Sequence, residues 1–250
     1  MRTFTTRDKI ISLSGAILLV LVWKAVSLLT GSRLLLPPPE EAFVSMIKLA
    51  FSADFAVAVF GTVIRGIMGF LISLALGMVI GVLAGLNRTV NSLVTPLLVA
   101  VRSAPVISVI LLALVWFRTD FVPVFIGLLV MFPIITTNII EGIKSVDREL
   151  VDMARSYRVK LPRIILEVYI PAIVPFITGG IASAAGIGWK AIIASEVLSQ
   201  PRYGIGTRMQ NAQSYLLVEE VIAWTIIAVI LSYIFENMIR FIERKIVVWR

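Results

Sequence analysis

Five charged side chains stand inside stretches that are otherwise almost wholly apolar: Lys24, Arg65, Arg102, Lys190 and Glu196. Their types limit the chemistry open to them. A cation in a nonpolar span attracts an anion and a carboxylate attracts a cation, but neither makes an activated nucleophile. The chain has no histidine and no cysteine, which excludes thiolate and imidazole metal sites, Cys and His nucleophiles and a histidine general base. No convergent carboxylate pair suggests an intramembrane hydrolase. A phosphate-binding loop of the form G-x-x-x-x-G-K-[ST] is absent; the nearest glycine pair, Gly61 and Gly66, is followed by Ile67. The chain is therefore expected to be no enzyme, to hold no metal or cofactor, and to hydrolyse no ATP alone.

A Lys or Arg deep in a span costs about 2.5–3.5 kcal/mol, so four unpaired ones would cost roughly 10 kcal/mol. They must snorkel, pair or line water. Lys24 lies near the end of its apolar run and is expected to snorkel. Arg65 comes early in a long run and is expected either to snorkel or to line a pathway. Arg102 stands beside Ser103 and Pro105, and the proline frees a carbonyl near the cation. Such broken helices border substrate pathways, so lining or gating is preferred here over a structural pair. Lys190 and Glu196 are six residues apart on one span. That spacing sets them about 240° apart around a helix, too far to pair. Glu196 is expected to cap the span's outer end or to receive a cation from another span. Gly179, Gly180, Gly186 and Gly188, with Ser183, Ala184 and Ala185, make one side of this span small, which suits a helix interface.

The elements that must position these groups follow from composition. Of 250 residues, 59% are hydrophobic and 15% charged, and mean hydropathy is +0.99. A soluble domain of this size cannot hide so much apolar surface, so the bilayer is the expected solvent. Six apolar segments are long enough to cross it, at about 10–30, 57–86, 94–117, 121–140, 172–198 and 218–240. Arg2, Arg7 and Lys9 precede the first, which is too long for a signal peptide and is read as an uncleaved anchor. With the N-terminus inside, fourteen Lys and Arg fall on the cytoplasmic side and five outside, so both termini are expected in the cytoplasm. The five outside are Arg33, Lys48, Arg118, Arg202 and Arg208; Arg250 counts among those inside. This distribution also accounts for the net charge of +8 without nucleic acid. No internal repeat or linker divides the chain, and residues 1–250 read as one all-α membrane domain in contact with lipid.

Two connections carry structure. Outside, "LPPPEEAFVSMIKLAFSADF" opens on Pro37 to Pro39 and acids, then spaces Phe43, Ile47, Ala50 and Phe51, predicting an amphipathic helix over about 39–53. "QPRYGIGTRMQNAQ", also outside, is polar and glycine-punctuated and reads as a loop. Inside, the connection at about 141–166 contains "SVDRELVDMARSY". Asp147 and Glu149 suit a helix start and Arg155 and Arg158 its end. Leu150, Met153, Ala154 and Tyr157 follow i, i+3, i+4, i+7 spacing and make one apolar stripe. The stripe either folds back on its own bundle or is offered to a partner's groove. Pro162 and Pro171 are expected to limit further helix.

"DMARSYRVKLPRIILEVYIP" resembles the cytoplasmic EAA loop of bacterial ABC importer permeases, E-A-A, three residues, G, nine residues, then I-x-L-P. Asp152, Met153 and Ala154 fall on E-A-A, Arg158 on the glycine, and Val168, Ile170 and Pro171 on I, L and P. Met153 replaces a small residue, and Arg158 replaces a glycine that would end the helix left-handed. Four further blocks resemble the nitrate, sulfonate and taurine type of permease: "LLLPPPEEAF", "GTVIRGIMGFLISLALGMVIGVLAGLNR", "PLLVAVRSAPVISVI" and "GWKAIIASEVLSQPRYGIGTRM". Arg118, after "LVWF", departs from a usual glycine.

The resemblance implies a plasma-membrane homodimer forming the pathway for a small solute. It also implies two cytoplasmic ABC ATPase subunits that bind ATP and Mg, and an extracytoplasmic binding protein that delivers the solute. By the same resemblance Leu150, Asp152, Met153, Ala154, Tyr157, Arg158 and Pro171 carry coupling, and the glycine-punctuated segment gates the outer mouth or meets the binding protein. The rival is an ion-coupled secondary transporter. That class tends to bury acids near the midplane and to show inverted repeats. Here the fourth span has no acid, and Glu236 lies at the inner end of the sixth.

Overall fold

The computed structural model describes residues 6–32 and 34–246. Arg2, Arg33 and Arg250, which enter the orientation count, lie outside the described residues. The described residues are helical throughout, in the order α1 (Thr6–Thr30), α2 (Pro39–Ala50), α3 (Ala53–Leu86), α4 (Arg88–Ser103), α5 (Val106–Trp116), α6 (Val122–Lys144), α7 (Arg148–Ser156), α8 (Leu161–Ile164), a π-turn (Ile165–Tyr169), α9 (Ile170–Ser199), α10 (Ile205–Ser214) and α11 (Val218–Ile246). Five helices are long and apolar enough to cross a membrane, and the bent pair α4–α5 makes up to six.

The centre is α6, packed between α3 and α9. Small residues recur every fourth position on α3 at Gly69, Ser73, Gly77, Gly81 and Gly85, and their side faces α6. A Cβ on Gly77 would lie 2.8 Å from Ile135, one on Gly81 2.8 Å from Ile139, and one on Gly85 2.6 Å from Ile143. In lipid, where apolar surfaces gain little by meeting each other, such backbone approach is what holds helices together. The same isoleucines join Met131, Ala184 and Ile192 in one core cluster.

The third segment is not one straight crossing. Its two helices meet at 98°, because Ala104 and Pro105 are both extended (ψ 132° and 118°). The residue before a proline is driven out of the α region, and the proline ring blocks the continuing turn. Conversely, Pro162 and Pro171 do not end helices. Each sits in the first turn of one, where no amide donor is needed. The π-turn before Pro171, in which Ile170 donates to the Ile165 carbonyl, carries the chain smoothly from α8 into α9.

The predicted surface helix forms as α2, with Pro39 in its first turn and Glu40 and Glu41 following. Lys24 does not snorkel freely; it pairs with Glu40. The ammonium holds the Glu40 carboxyl below the usual carboxylate range. Trp23 Nε1 donates to Pro37 O (3.1 Å) and Ser27 Oγ to Leu36 O (2.9 Å), tying α1 to the approach to α2. Of the segment read as a polar loop, residues 200–204 are non-helical, but the rest forms helix α10. It sits at the C-terminal end of α9, opposite the end where α7 lies.

Candidate functional site: a half-seated helix and a charged knot

Helix α7 is built for exposure on one side only. Asp147 caps it, its side chain accepting from Glu149 N at 2.9 Å, and Glu149 and Arg155 complement the helix dipole at its two ends. Val151 is its anchor, 5% exposed, packed with Val146 and Ile164. Ala154 is half-buried against the same cluster. On the other side Leu150, Met153 and Tyr157 are 46%, 53% and 79% exposed. The apolar stripe is therefore split: its edge at Ala154 seats the helix, and the rest stands free of this chain.

The helix ends in a tight reversal. Val159 N–H reaches Ala154 O (3.0 Å) and Arg158 N–H reaches Arg155 O (2.8 Å). These are the paired bonds of a Schellman motif, with Val159 packed beside Ala154. Arg158 occupies its left-handed position at φ 57°. Thus the arginine adopts the conformation that a glycine would, and the bend is kept at a cost of about 1–2 kcal/mol. Arg158→Gly is expected to stabilise the protein by about 1 kcal/mol, read as a higher thermal midpoint in detergent. An unchanged or lowered midpoint would show that the Arg158 side chain contributes more than the strain removes.

At the opposite end of α9 is a buried charged knot. Arg65, 8% exposed, donates from Nη1 to Glu196 Oε1 (2.9 Å) and to Tyr203 O (2.6 Å). Its Nη2 donates to Asp120 Oδ1 (2.9 Å) and its Nε to Asp120 O (3.2 Å). Glu196 is fully buried, and its Oε2 accepts from Thr62 Oγ1 (2.7 Å) and Gly206 N (3.1 Å). Ile205 N completes the set by donating to Thr62 Oγ1 at 2.9 Å. Four segments of chain meet here: α3, the α5–α6 connection, α9 and the start of α10. Gly204 and Gly206 permit it, since a Cβ on Gly206 would lie 2.5 Å from Ile193 O and one on Gly204 2.7 Å from Glu196 Oε2. Arg65 is thus paired on two sides, with buried Glu196 and with Asp120, whose side chain is 54% exposed. Of the two readings of Glu196, it receives a cation from another span.

Lys190 and Arg102 behave differently. Both are exposed, and neither has a hydrogen bond or ion pair among the described residues. Lys190 lies on a line with Gly179, Ser183, Ile187 and Ala194, which together form an exposed face of α9. Gly180 and Gly188 point the other way, against Asn138 and Met131 of α6. The small residues of α9 thus serve two faces, one packed within the protomer and one open. Arg102, Ser103 and Pro105 are exposed at the α4–α5 bend.

Residues 77–248 match the family model described as "Binding-protein-dependent transport system inner membrane component". This chain belongs to that family. It is a multi-pass permease of the plasma membrane, of the ABC importer class. Among its relatives is a putative ABC transporter permease protein of Methanocaldococcus jannaschii, 31% identical over 98% of this chain and 94% of its own. A putative aliphatic sulfonates transport permease of Bacillus subtilis is 28% identical over 93% and 84% of the two chains. The taurine transport system permease of Escherichia coli is 24% identical over 94% and 87%.

Of the permease residues singled out from sequence, the fold gathers Leu150, Met153, Ala154 and Tyr157 on α7 with Asp152 exposed beside them, and joins Arg65 to Glu196. Pro171 lies beyond the π-turn, Arg102 at the bend, and Lys190 outside the knot. Thr62, Asp120 and Tyr203 were not anticipated. Only the glycines around Tyr203 hinted at close approach, and a backbone carbonyl leaves no trace in sequence.

Proposed function

We propose that two copies of this permease form the pathway of an ATP-driven importer, and that α7 couples each copy to a cytoplasmic ATPase subunit. The single observation carrying this reading is the half-seated helix: an anchored α7 whose Leu150, Met153 and Tyr157 remain uncovered. Large apolar side chains held out from a rigid helix suit a partner's groove. ATP and Mg bind the ATPase partner, and this chain contributes no catalytic group. Both termini face the cytoplasm with α7, and α10 and α2 face outward, where a binding protein delivers solute. The open face of α9 lines the pathway between the two copies, with Lys190 as its cation. Arg102, Ser103 and Pro105 act at the pivot between α4 and α5. Arg65 and Glu196 hold the outer elements in register for gating. A small anion, such as a sulfonate or nitrate, suits the unpaired Lys190.

The test is purification from native membrane with the chain tagged. A P-loop ATPase is expected to accompany it in equal amount, and reconstituted complex is expected to take up solute only with ATP and binding protein. Full uptake by the chain alone in liposomes would reject the reading in favour of an ion-coupled transporter.

A further inference from the structure

Helices α3 and α6 are both long enough to cross the membrane, and they end against each other beside α7. There Gly85 of α3 lies so close to Ile143 of α6 that a Cβ on the glycine would sit 2.6 Å away. Next to this contact is a cleft of about 370 Å³, lined among others by Leu86, Lys144, Arg148, Asp152, Arg155 and Tyr169. Its charges do not cancel, since three cations share it with one acid. Arg155 Nη1 stands 4.0 Å from Asp152 Oδ1, and that loose pair accounts for the acid. Asp147, which lies between the other two cations in sequence, is turned to the Glu149 amide as the cap of α7. Lys144 and Arg148 are exposed, with no hydrogen bond or ion pair among the described residues, so two cations are in excess.

Helix stability does not explain both of them. Lys144 stands in the last turn of α6, where the helix dipole favours a cation. Arg148 is the first residue of α7, where the dipole disfavours one. Its charge there is compensated only by an anion from outside the helix. The cleft also lies away from the coupling stripe. Arg148, Val151, Asp152 and Arg155 follow i, i+3, i+4, i+7 spacing and form the face of α7 opposite Leu150, Met153 and Tyr157. An occupant of the cleft and a partner on the stripe would therefore not compete.

We propose that this cleft holds the phosphate of an anionic phospholipid from the leaflet on the α7 side. A phosphodiester has two unesterified oxygens, one for Lys144 and one for Arg148, and such charge-assisted bonds are the strong ones. The apolar part of the wall shows where the rest of the lipid goes. Leu86 continues a line of exposed side chains on α3, Val79 and Leu83, that leads from the cleft along the span. Acyl chains lying on that line keep the headgroup at the two cations. A free phosphate has the same oxygens but leaves Leu86 and the line above it unused. Basic clefts at the ends of spans suit acidic headgroups for this reason. The inference goes beyond the coupling reading and does not rest on it.

The test is native mass spectrometry of the full chain in dodecyl maltoside, with equal amounts of phosphatidylglycerol and phosphatidylcholine of matched acyl chains. Phosphatidylglycerol is expected to be retained over phosphatidylcholine by about fivefold or more, the effect of one well-placed cation at an anionic surface. In Lys144→Gln/Arg148→Gln the preference is expected to vanish while the melting temperature in detergent holds. Lys144→Arg is expected to keep it, and so is Lys48→Gln, which removes an exposed cation from α2. Millimolar inorganic phosphate is expected to leave it unchanged. Equal retention of the two lipids, a preference that survives the double substitution, or one that Lys48→Gln removes equally would overturn the proposal. So would displacement of phosphatidylglycerol by inorganic phosphate, which would assign the cleft to a soluble ligand. The measurement needs no ATPase, so a failed ATPase partnership with an intact lipid preference sinks the coupling and leaves the cleft. The converse sinks the cleft alone.

Discussion

Replacing Arg65 with methionine is expected to destabilise the protein by about 3–5 kcal/mol, the loss that follows when one partner of a buried pair is removed. Methionine keeps the apolar stem but ends about where the guanidinium begins, so the loss joins the missing charge to the space the guanidinium filled. What remains is a fully buried Glu196 with only Thr62 Oγ1 and Gly206 N as donors, while Tyr203 O loses its charged partner. Removing the acid instead is milder. In Glu196→Gln the amide oxygen still accepts from Thr62 and Gly206. Arg65 also keeps Asp120, whose side chain is 54% exposed and remains wetted. Arg65→Lys is expected to resemble Arg65→Met more than the wild type, since one ammonium cannot reach four acceptor atoms spread around a guanidinium fork. Thermal and denaturant unfolding in detergent give the ranking. An Arg65→Met midpoint equal to that of the wild type would show that the knot does not hold these elements together.

Ala154→Glu is expected to cut binding-protein-stimulated ATP hydrolysis and solute uptake by about a hundredfold, the effect of losing a central contact residue. Ala154 sits where two demands meet. Its methyl packs against Val146, Val151 and Ile164, and its carbonyl holds the Val159 amide that turns the chain after α7. A glutamate there has two routes, both harmful. Pointing inward it places a charge in an apolar cluster and lifts the helix; pointing outward it lays a carboxylate over the stripe of Met153 and Tyr157. Asp152→Ala is the matched comparison. Its 4.0 Å contact with Arg155 joins side chains 74% and 63% exposed, and such pairs contribute at most about 1 kcal/mol. Asp152→Ala is therefore expected to retain most coupling. Assays on complexes of equal size-exclusion profile decide the matter; full coupled hydrolysis by Ala154→Glu would remove α7 from the coupling path.

Much of the architecture was legible because bilayer chemistry is local. Spans at 10–30, 121–140, 172–198 and 218–240 correspond to α1, α6, α9 and α11, since an unpaired backbone in hydrocarbon permits little but helix. Helix α7 was readable for a different local reason: its cap, dipole charges and apolar spacing all lie within a dozen residues. Even the left-handed reversal at Arg158 was marked, because the resemblance placed Arg158 on the glycine of the EAA pattern. Local rules misled where proline was concerned. Pro105 breaks its segment into two helices as expected, whereas Pro162 and Pro171 each open a helix in its first turn, and Pro96, Pro133 and Pro175 lie inside helices that continue through them.

By itself, then, the order of residues determined the solvent, most of the helices and the short polar helix α7, because each depends on side chains close together in the chain. Tertiary structure alone decided which intramembrane charges are neutralised. Arg65 meets Glu196 across 131 positions and a backbone carbonyl at Tyr203, whereas Lys190, six residues from that same glutamate, stays open to a cleft. Electrostatic attraction depends on distance in space, and helix packing, not sequence separation, sets that distance.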